Sequence, residues 1–306
     1  MQKYSRRFNG DYMYENVEQL IELCLERKQK IWQVVLDNEV SISGKSESAI
    51  LKRFEHRFRV MEQSARRALN TPYETAGNLI SGIASKQFKY LQNSQSVCGI
   101  EINRIMAYAL SSSEINASMG KICASPTAGS CGIMPAVLLY MLEKFNLSVK
   151  KIIQGMITAS GFGAIVVNNA CVSGAQGGCQ AECGTAAAMS AAAVAEMHGG
   201  TPQQCANAFS IAFVNCMGLI CDPVAGLVQV PCAQRNASQA VNALISADLA
   251  LGGMELPVTA DEVVNAMYQT GKLLPNKLKE TAEGGIADCN SAKKIAKNIF
   301  SEKTYK

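Results

Sequence analysis

Apolar positions recur at helical spacing along most of this chain. In ENVEQLIELCLERKQKIWQVVLDNE they return every third or fourth residue, with charges on the opposite face. Helix is therefore expected over about 14 to 70, with a Ser/Gly-rich break at SISGKSES. The SES ahead of AILKRFEHRFRVMEQSARRAL offers an N-cap for the helix beyond that break, and Thr71-Pro72 closes it. A small-residue helix is expected over about 95 to 125, ending at KICASPTAGSCGIMP. There Pro126, Gly129, Gly132 and Pro135 shape a loop that leads into the helix AVLLYMLEKF. Helices are then expected over 149–168, 180–197 and 203–219. Gly199-Gly200 stops the second of these and Thr201-Pro202 starts the third. The stretch CDPVAGLVQVPCAQRN carries two prolines and a glycine and is not regular helix. NASQAVNALISADLAL resumes helix, another helix starts near Thr259, and an amphipathic tail helix begins at about 290.

No repeat and no series of strands is visible, so the fold class expected is all-α. The chain reads as a single large helical domain over 1–306, with an N-terminal helical region to about 95, a core over about 96–288 and a tail over about 289–306.

Composition sharpens this picture. Hydrophobic residues make up 48% of the chain but aromatics only 6%, so the core must be built from Ala, Val, Ile, Leu, Met and Cys. The net charge of +4 has no basic stripe with interleaved aromatics, which argues against nucleic acid as a partner. From Ile152 to Ala181 there is no charged residue, yet the stretch is rich in Gly, Asn, Gln and Ser. Lipid could not satisfy those polar groups, so buried helices around a polar site are expected instead of a membrane span. The N-terminus MQKYSRRFNGDYMYEN has no apolar leader core, so a cytoplasmic chain with reduced thiols is expected. Twelve cysteines in that setting suggest metal ligands plus buried structural cysteines.

Three of the twelve stand out by position. Cys179 lies in SGAQGGCQAEC just before an expected helix, and Cys221 and Cys232 bracket DPVAGLVQVP. All three fall where uncharged helix meets irregular backbone, a setting in which turn N–H groups can hydrogen-bond thiolate sulfur. No C-x-x-C pair is present, so neither a zinc ribbon nor a ferredoxin-type run is supported. On spacing alone, the three read first as buried small hydrophobes.

The segments SPTAGSCGIMPAVL, SGAQGGCQAECGTAAAMSAAA, CDPVAGLVQVPCAQRNA and LKETAEGGIA resemble, in order, the signature segments of the iron–sulfur L-serine dehydratase α chain. The likeness runs from roughly residue 15 to residue 288. It implies an all-helical fold with a [4Fe–4S] cluster in a cleft between helices and Gly/Pro loops. Cys179, Cys221 and Cys232 match the cluster cysteines, which leaves one iron open as a Lewis acid. It also implies L-serine as substrate and loss of water to aminoacrylate, which tautomerises to an imine and hydrolyses to pyruvate and ammonia. The separate α/β domain of one-chain relatives does not appear, so the resemblance implies a β chain and an α/β hetero-oligomer. One-chain relatives end in a cysteine that fills the fourth position. Cys289 lies near that region, with seventeen residues after it, and is a candidate fourth ligand.

The sequence departs from the family's SGAEGGCQAEVG, placing Gln176 and Cys183 where the family has Glu and Val. Cys183 reads as a packing cysteine, as do Cys24, Cys98, Cys123, Cys131, Cys171, Cys205 and Cys216. For substrate binding, the loop Thr127, Ala128, Gly129 and Ser130 opens a helix and offers N–H groups to a carboxylate. Glu114 and Asn116 are candidates for the amino group. Asp222, Arg235 and Asn236 are expected around the cluster, with Arg235 neutralising its charge or pairing with Asp222. His56 reads as solvent-facing, and His198 as complementing a helix C-terminus. No base is visible, which points to the β chain or a hydroxyl. The only lysine in the four segments is Lys279, so a pyridoxal phosphate cofactor is not expected, while a monovalent cation is a further candidate. Two other readings stay open: a cysteine desulfidase or another cluster-dependent lyase, and a non-catalytic, zinc-stabilised helical scaffold.

Overall fold

The computed structural model describes residues 12–91 and 96–301. The outermost parts of the expected N-terminal region and tail, and the stretch 92–95, lie outside the described residues. Within them the chain is all-α, with a single isolated bridge pairing Cys221 and Lys279.

The N-terminal layer is α1 (Val17–Arg27), α2 (Ile31–Ser43) and α3 (Glu47–Arg67). Asn16 caps α1 by accepting from the Gln19 N–H, and Ser46 caps α3 through the Ala49 N–H, as the SES segment foretells. The expected long first helix is in fact broken at Lys28. That residue adopts left-handed φ 53°, and its N–H returns to the carbonyls of Cys24 and Leu25. A lysine carries no C-cap signal, so this break is invisible in the pattern. What restarts the chain is partly tertiary, because the buried Glu196 carboxylate accepts from the Trp32 N–H at the head of α2.

The centre is α9 (Thr185–Met197), in which every residue is buried. Its alanines let α7 (Val149–Asn169), α10 (Pro202–Val214) and α11 (Cys232–Leu251) pack closely around it. Close approach also explains two glycines of α7. A Cβ on Gly155 would lie 2.8 Å from the Met197 sulfur, and one on Gly163 would lie 2.7 Å from the Met189 methyl. The uncharged stretch beginning at Ile152 is thus the packed wall of the core, and no described helix is long and apolar enough to cross a membrane. α5 (Gly99–Ala117) and α6 (Ile133–Lys144) pack on α11, with α4 (Ile83–Tyr90) on α5. α12 (Ala260–Leu273) has a capping box between Thr259 and Glu262 and packs on α10. The tail helix α13 (Asn290–Ser301) lies on the turns Ala76–Asn78 and Val224–Gly226. α11 starts at Cys232, four residues earlier than the proline-bearing sequence suggests, so Cys232 sits at its first turn.

Candidate active site

Irregular backbone gathers at one end of the α9 bundle. A short turn, α8 (Gly174–Gly177), leads to Gly178, whose φ 78° and ψ −179° belong to a region essentially reserved for glycine. Cys179 follows, and then one π-turn over Gln180–Gly184 before α9 becomes regular. Such turns rotate side chains out of helical register and often occur at functional positions. Gln180 fixes this turn from below. Its amide donates to the carbonyls of Gly177 and Met267 and accepts from the Gly218 N–H.

Three further segments close on this turn. The Cys221 N–H donates to the Leu278 carbonyl and the Glu280 N–H donates to the Cys221 carbonyl, so the LKETAEGG segment runs alongside Cys221. Gly174 faces the same cysteine, because a Cβ there would lie 2.8 Å from the Cys221 sulfur. Asn236, fully buried, ties the loop at 126–132 to the head of α11. It donates to the carbonyls of Gly129 (2.7 Å) and Cys232 (2.8 Å) and accepts from the Gly132 N–H (2.8 Å). Arg235 donates to the Ile220 carbonyl at 2.6 Å and pairs with buried Asp222 at 2.9 Å, whose other oxygen accepts from the Ile286 N–H.

Cys179, Cys221 and Cys232 therefore lie on segments that these bonds draw together, and the charge of Cys179 is felt by both Cys221 and Cys232. All three are buried. The Cys179 thiol is held below its ordinary range by a hydrogen bond from Cys183 and by the Arg235 guanidinium beside it. Burial pushes the Cys232 thiol up to about 12 and the Cys221 thiol up as well. Desolvated thiols of this kind form stable thiolates when a metal compensates their charge. Among the described residues, no three His, Cys, Asp or Glu side chains converge tightly enough to hold a single metal ion. A structural zinc site, with Zn–S near about 2.3 Å, needs that tight grouping. A multi-iron cluster sets its thiolates further apart, and three buried thiols on converging segments are donors of the kind it takes.

Glu182 is the residue that sequence reasoning passed over. It projects from the π-turn and accepts from the Thr127 hydroxyl at 2.6 Å. Burial raises its carboxyl above the usual range, and Glu280 nearby adds to the effect. A signal was available, since Glu182 is the only charged residue between Lys151 and Glu196. The loop Thr127–Ser130 stands against it, and a Cβ on Gly129 would lie 2.6 Å from its Oε1. Among the described residues, no acceptor reaches the N–H groups of Ala128 and Gly129. Asn116 donates to the Ala128 carbonyl at 3.2 Å.

Other expected residues are placed elsewhere. Both Glu114 oxygens are taken by backbone, from the N–H groups of Tyr73, Gly82 and Ala84, so this carboxylate anchors the loop ahead of α4. Cys289 is exposed before α13, and Gln176 is exposed on α8. His56 and His198 are both exposed, and the His198 ring packs edge-on against Phe145.

The four signature segments thus meet at one site, and they fall within the span matched by one family model. The serine dehydratase alpha chain model covers residues 26–287. This chain belongs to that family. Its relatives include the L-serine dehydratase alpha chain of Peptoniphilus asaccharolyticus, 45% identical over 290 residues, covering 95% of this chain and 99% of that one. A probable L-serine dehydratase alpha chain of Bacillus subtilis strain 168 is 43% identical over 288 residues, covering 94% and 96%. The L-serine dehydratase TdcG of Escherichia coli strain K12 is 38% identical over 283 residues, covering 90% of this chain but 62% of that protein. This chain thus matches only part of that longer protein.

Proposed function

We propose that this chain is the α chain of a [4Fe–4S]-dependent L-serine dehydratase that converts L-serine to pyruvate and ammonia. The observation that carries the proposal is that three buried thiols, of Cys179, Cys221 and Cys232, sit on segments tied together by Asn236, Arg235 and the Cys221–Leu278 bond, with Cys221 beside Gly174 and Glu182. These three cysteines would hold the cluster, with Arg235 and Cys183 donating toward Cys179. Cys289 is left out of this set because it is exposed and outside the group of mutually interacting thiols. The chemistry the cluster supplies when bound is Lewis acidity toward the departing β-hydroxyl.

The protein's own residues do the rest. The unpaired N–H groups of Ala128 and Gly129 receive the substrate carboxylate, and Thr127 orients Glu182 beside it. Both histidines are exposed, and the base that takes the Cα proton is a group of a separate β chain or a hydroxyl at the site. The alpha-chain designation of the family and the greater length of the Escherichia coli relative support such a partner.

The test is anaerobic co-expression with a candidate β chain, followed by iron and sulfide analysis and a pyruvate assay. About four irons per α chain with serine turnover are expected, and loss of both in Cys221→Ala and Cys232→Ala. A colourless, zinc-loaded protein, or either variant with full activity, would refute the assignment.

A further inference from the structure

Glu182 and Glu280 converge on one point. The Oε2 atoms of both lie 3.4 Å from the position a Cβ on Gly174 would take, and the Cys221 sulfur lies 2.8 Å from it. Gly174 thus leaves open a space bounded by two carboxylates and a thiol. Glu182 is about nine-tenths buried, at 9% exposure. Its Oε1 is committed to Thr127, and among the described residues no donor reaches its Oε2. Glu280 reaches the same space from the other side. Its N–H is fixed to the Cys221 carbonyl, and its backbone adopts left-handed φ 62°. Neither carboxylate has an ion pair with a basic side chain among the described residues, and the Arg235 guanidinium is committed to Asp222, the Ile220 carbonyl and Cys179.

Two neighbouring carboxylates without a cation repel each other. A small monovalent cation that donates several hydrogen bonds relieves it. Against Glu182 stands the loop of Ala128 and Gly129, whose N–H groups meet no acceptor among the described residues and suit an anion. A zwitterion fits this pairing of donors and carboxylates. We infer that Glu182 and Glu280 bind the α-ammonium of the amino-acid substrate over Gly174, and so select amino acids over hydroxy acids of the same shape. This assignment rests on the lyase reading above.

The test compares L-serine with 3-hydroxypropionate, which keeps the carboxylate and β-hydroxyl but lacks the ammonium. The wild type, Glu280→Gln and Glu182→Gln would be prepared anaerobically with the partner chain, at matched iron content. Glu280 is exposed, so its variant is expected to fold even if Glu182→Gln does not. Each variant should raise KM for serine by about tenfold or more, as loss of a charged hydrogen bond does. Inhibition by 3-hydroxypropionate should be unchanged or tighter, so the ratio of its Ki to the serine KM falls. A role confined to folding would weaken both ligands alike. Wild-type turnover with an unchanged ratio in Glu280→Gln would overturn the assignment alone. An unchanged ratio with a shifted potassium or ammonium requirement would overturn it in favour of an inorganic cation. A wild type loaded with iron that does not turn over serine would sink both this assignment and the lyase reading.

Discussion

Asn236→Ala is expected to loosen the site and the fold together. The side chain is fully buried and makes three hydrogen bonds, to Gly129, Cys232 and Gly132, all between 2.7 and 2.8 Å. The Cys232 carbonyl lies in the first turn of α11 and can still accept from the helix. The Gly129 carbonyl and the Gly132 N–H lose their partner. Each buried polar group left unsatisfied costs about 1–3 kcal/mol, so the two together cost about 2–6 kcal/mol. For a chain this long, at about 2 °C per kcal/mol, apparent Tm should fall by roughly 4–12 °C. Asn236→Asp is the sharper control. It keeps an oxygen for the Gly132 N–H but turns a second oxygen toward the carbonyls of Gly129 and Cys232, so it should be no better than Ala. The assay is thermal unfolding of the metal-free proteins, followed by iron retention after anaerobic reconstitution. A fall of less than about 1 °C in both variants, with full iron retention, would show that Asn236 does not clamp the loop to α11.

Burial raises the Glu196 carboxyl to about 7 from an ordinary 4.5. A carboxyl raised on folding favours the native state below its unfolded value, and this contribution is lost as pH rises through about 7, at roughly 3 kcal/mol in all. Glu196→Gln should therefore gain stability over the wild type at pH 8 but not at pH 4, read by urea unfolding; parallel pH curves would contradict this. Gly178→Ala places a Cβ 2.7 Å from the Leu219 carbonyl at φ 78°, a conformation costing about 1–3 kcal/mol for a non-glycine residue. It should displace Cys179 and cut iron content, and normal iron content would show that the turn tolerates a side chain. Iodoacetamide should label exposed Cys98 and Cys289 within minutes while Cys24, Cys131 and Cys205, buried and with raised thiols, stay unmodified by mass spectrometry. Rapid labelling of Cys205 would contradict the packing around α9 and α10.

The helices were legible in the sequence because their signals are local. Periodic apolar positions mark α1, α3 and α12, and Ser46, Ser148, Thr201 and Thr259 cap helices through bonds to residues three further on. The signature segments named the family for the same reason, being contiguous runs of residues. The break at Lys28 was not legible, since a lysine carries no signal for the left-handed region and the Trp32 N–H at the head of α2 meets Glu196 of another helix. The site was only partly legible. Cys179, Cys221 and Cys232 stood out by their surroundings, yet nothing in their spacing brings them together; the bonds of Asn236, Arg235 and Leu278 across the chain do so. The same long-range packing decided the carboxylates. Glu114, promising by its neighbours, is consumed by the backbone of a loop some thirty to forty residues away. Glu182, unremarked in its motif, is delivered to the gap by a π-turn. Helix propensity and capping act over a few residues, whereas a charge finds its partner only once the chain has closed on itself.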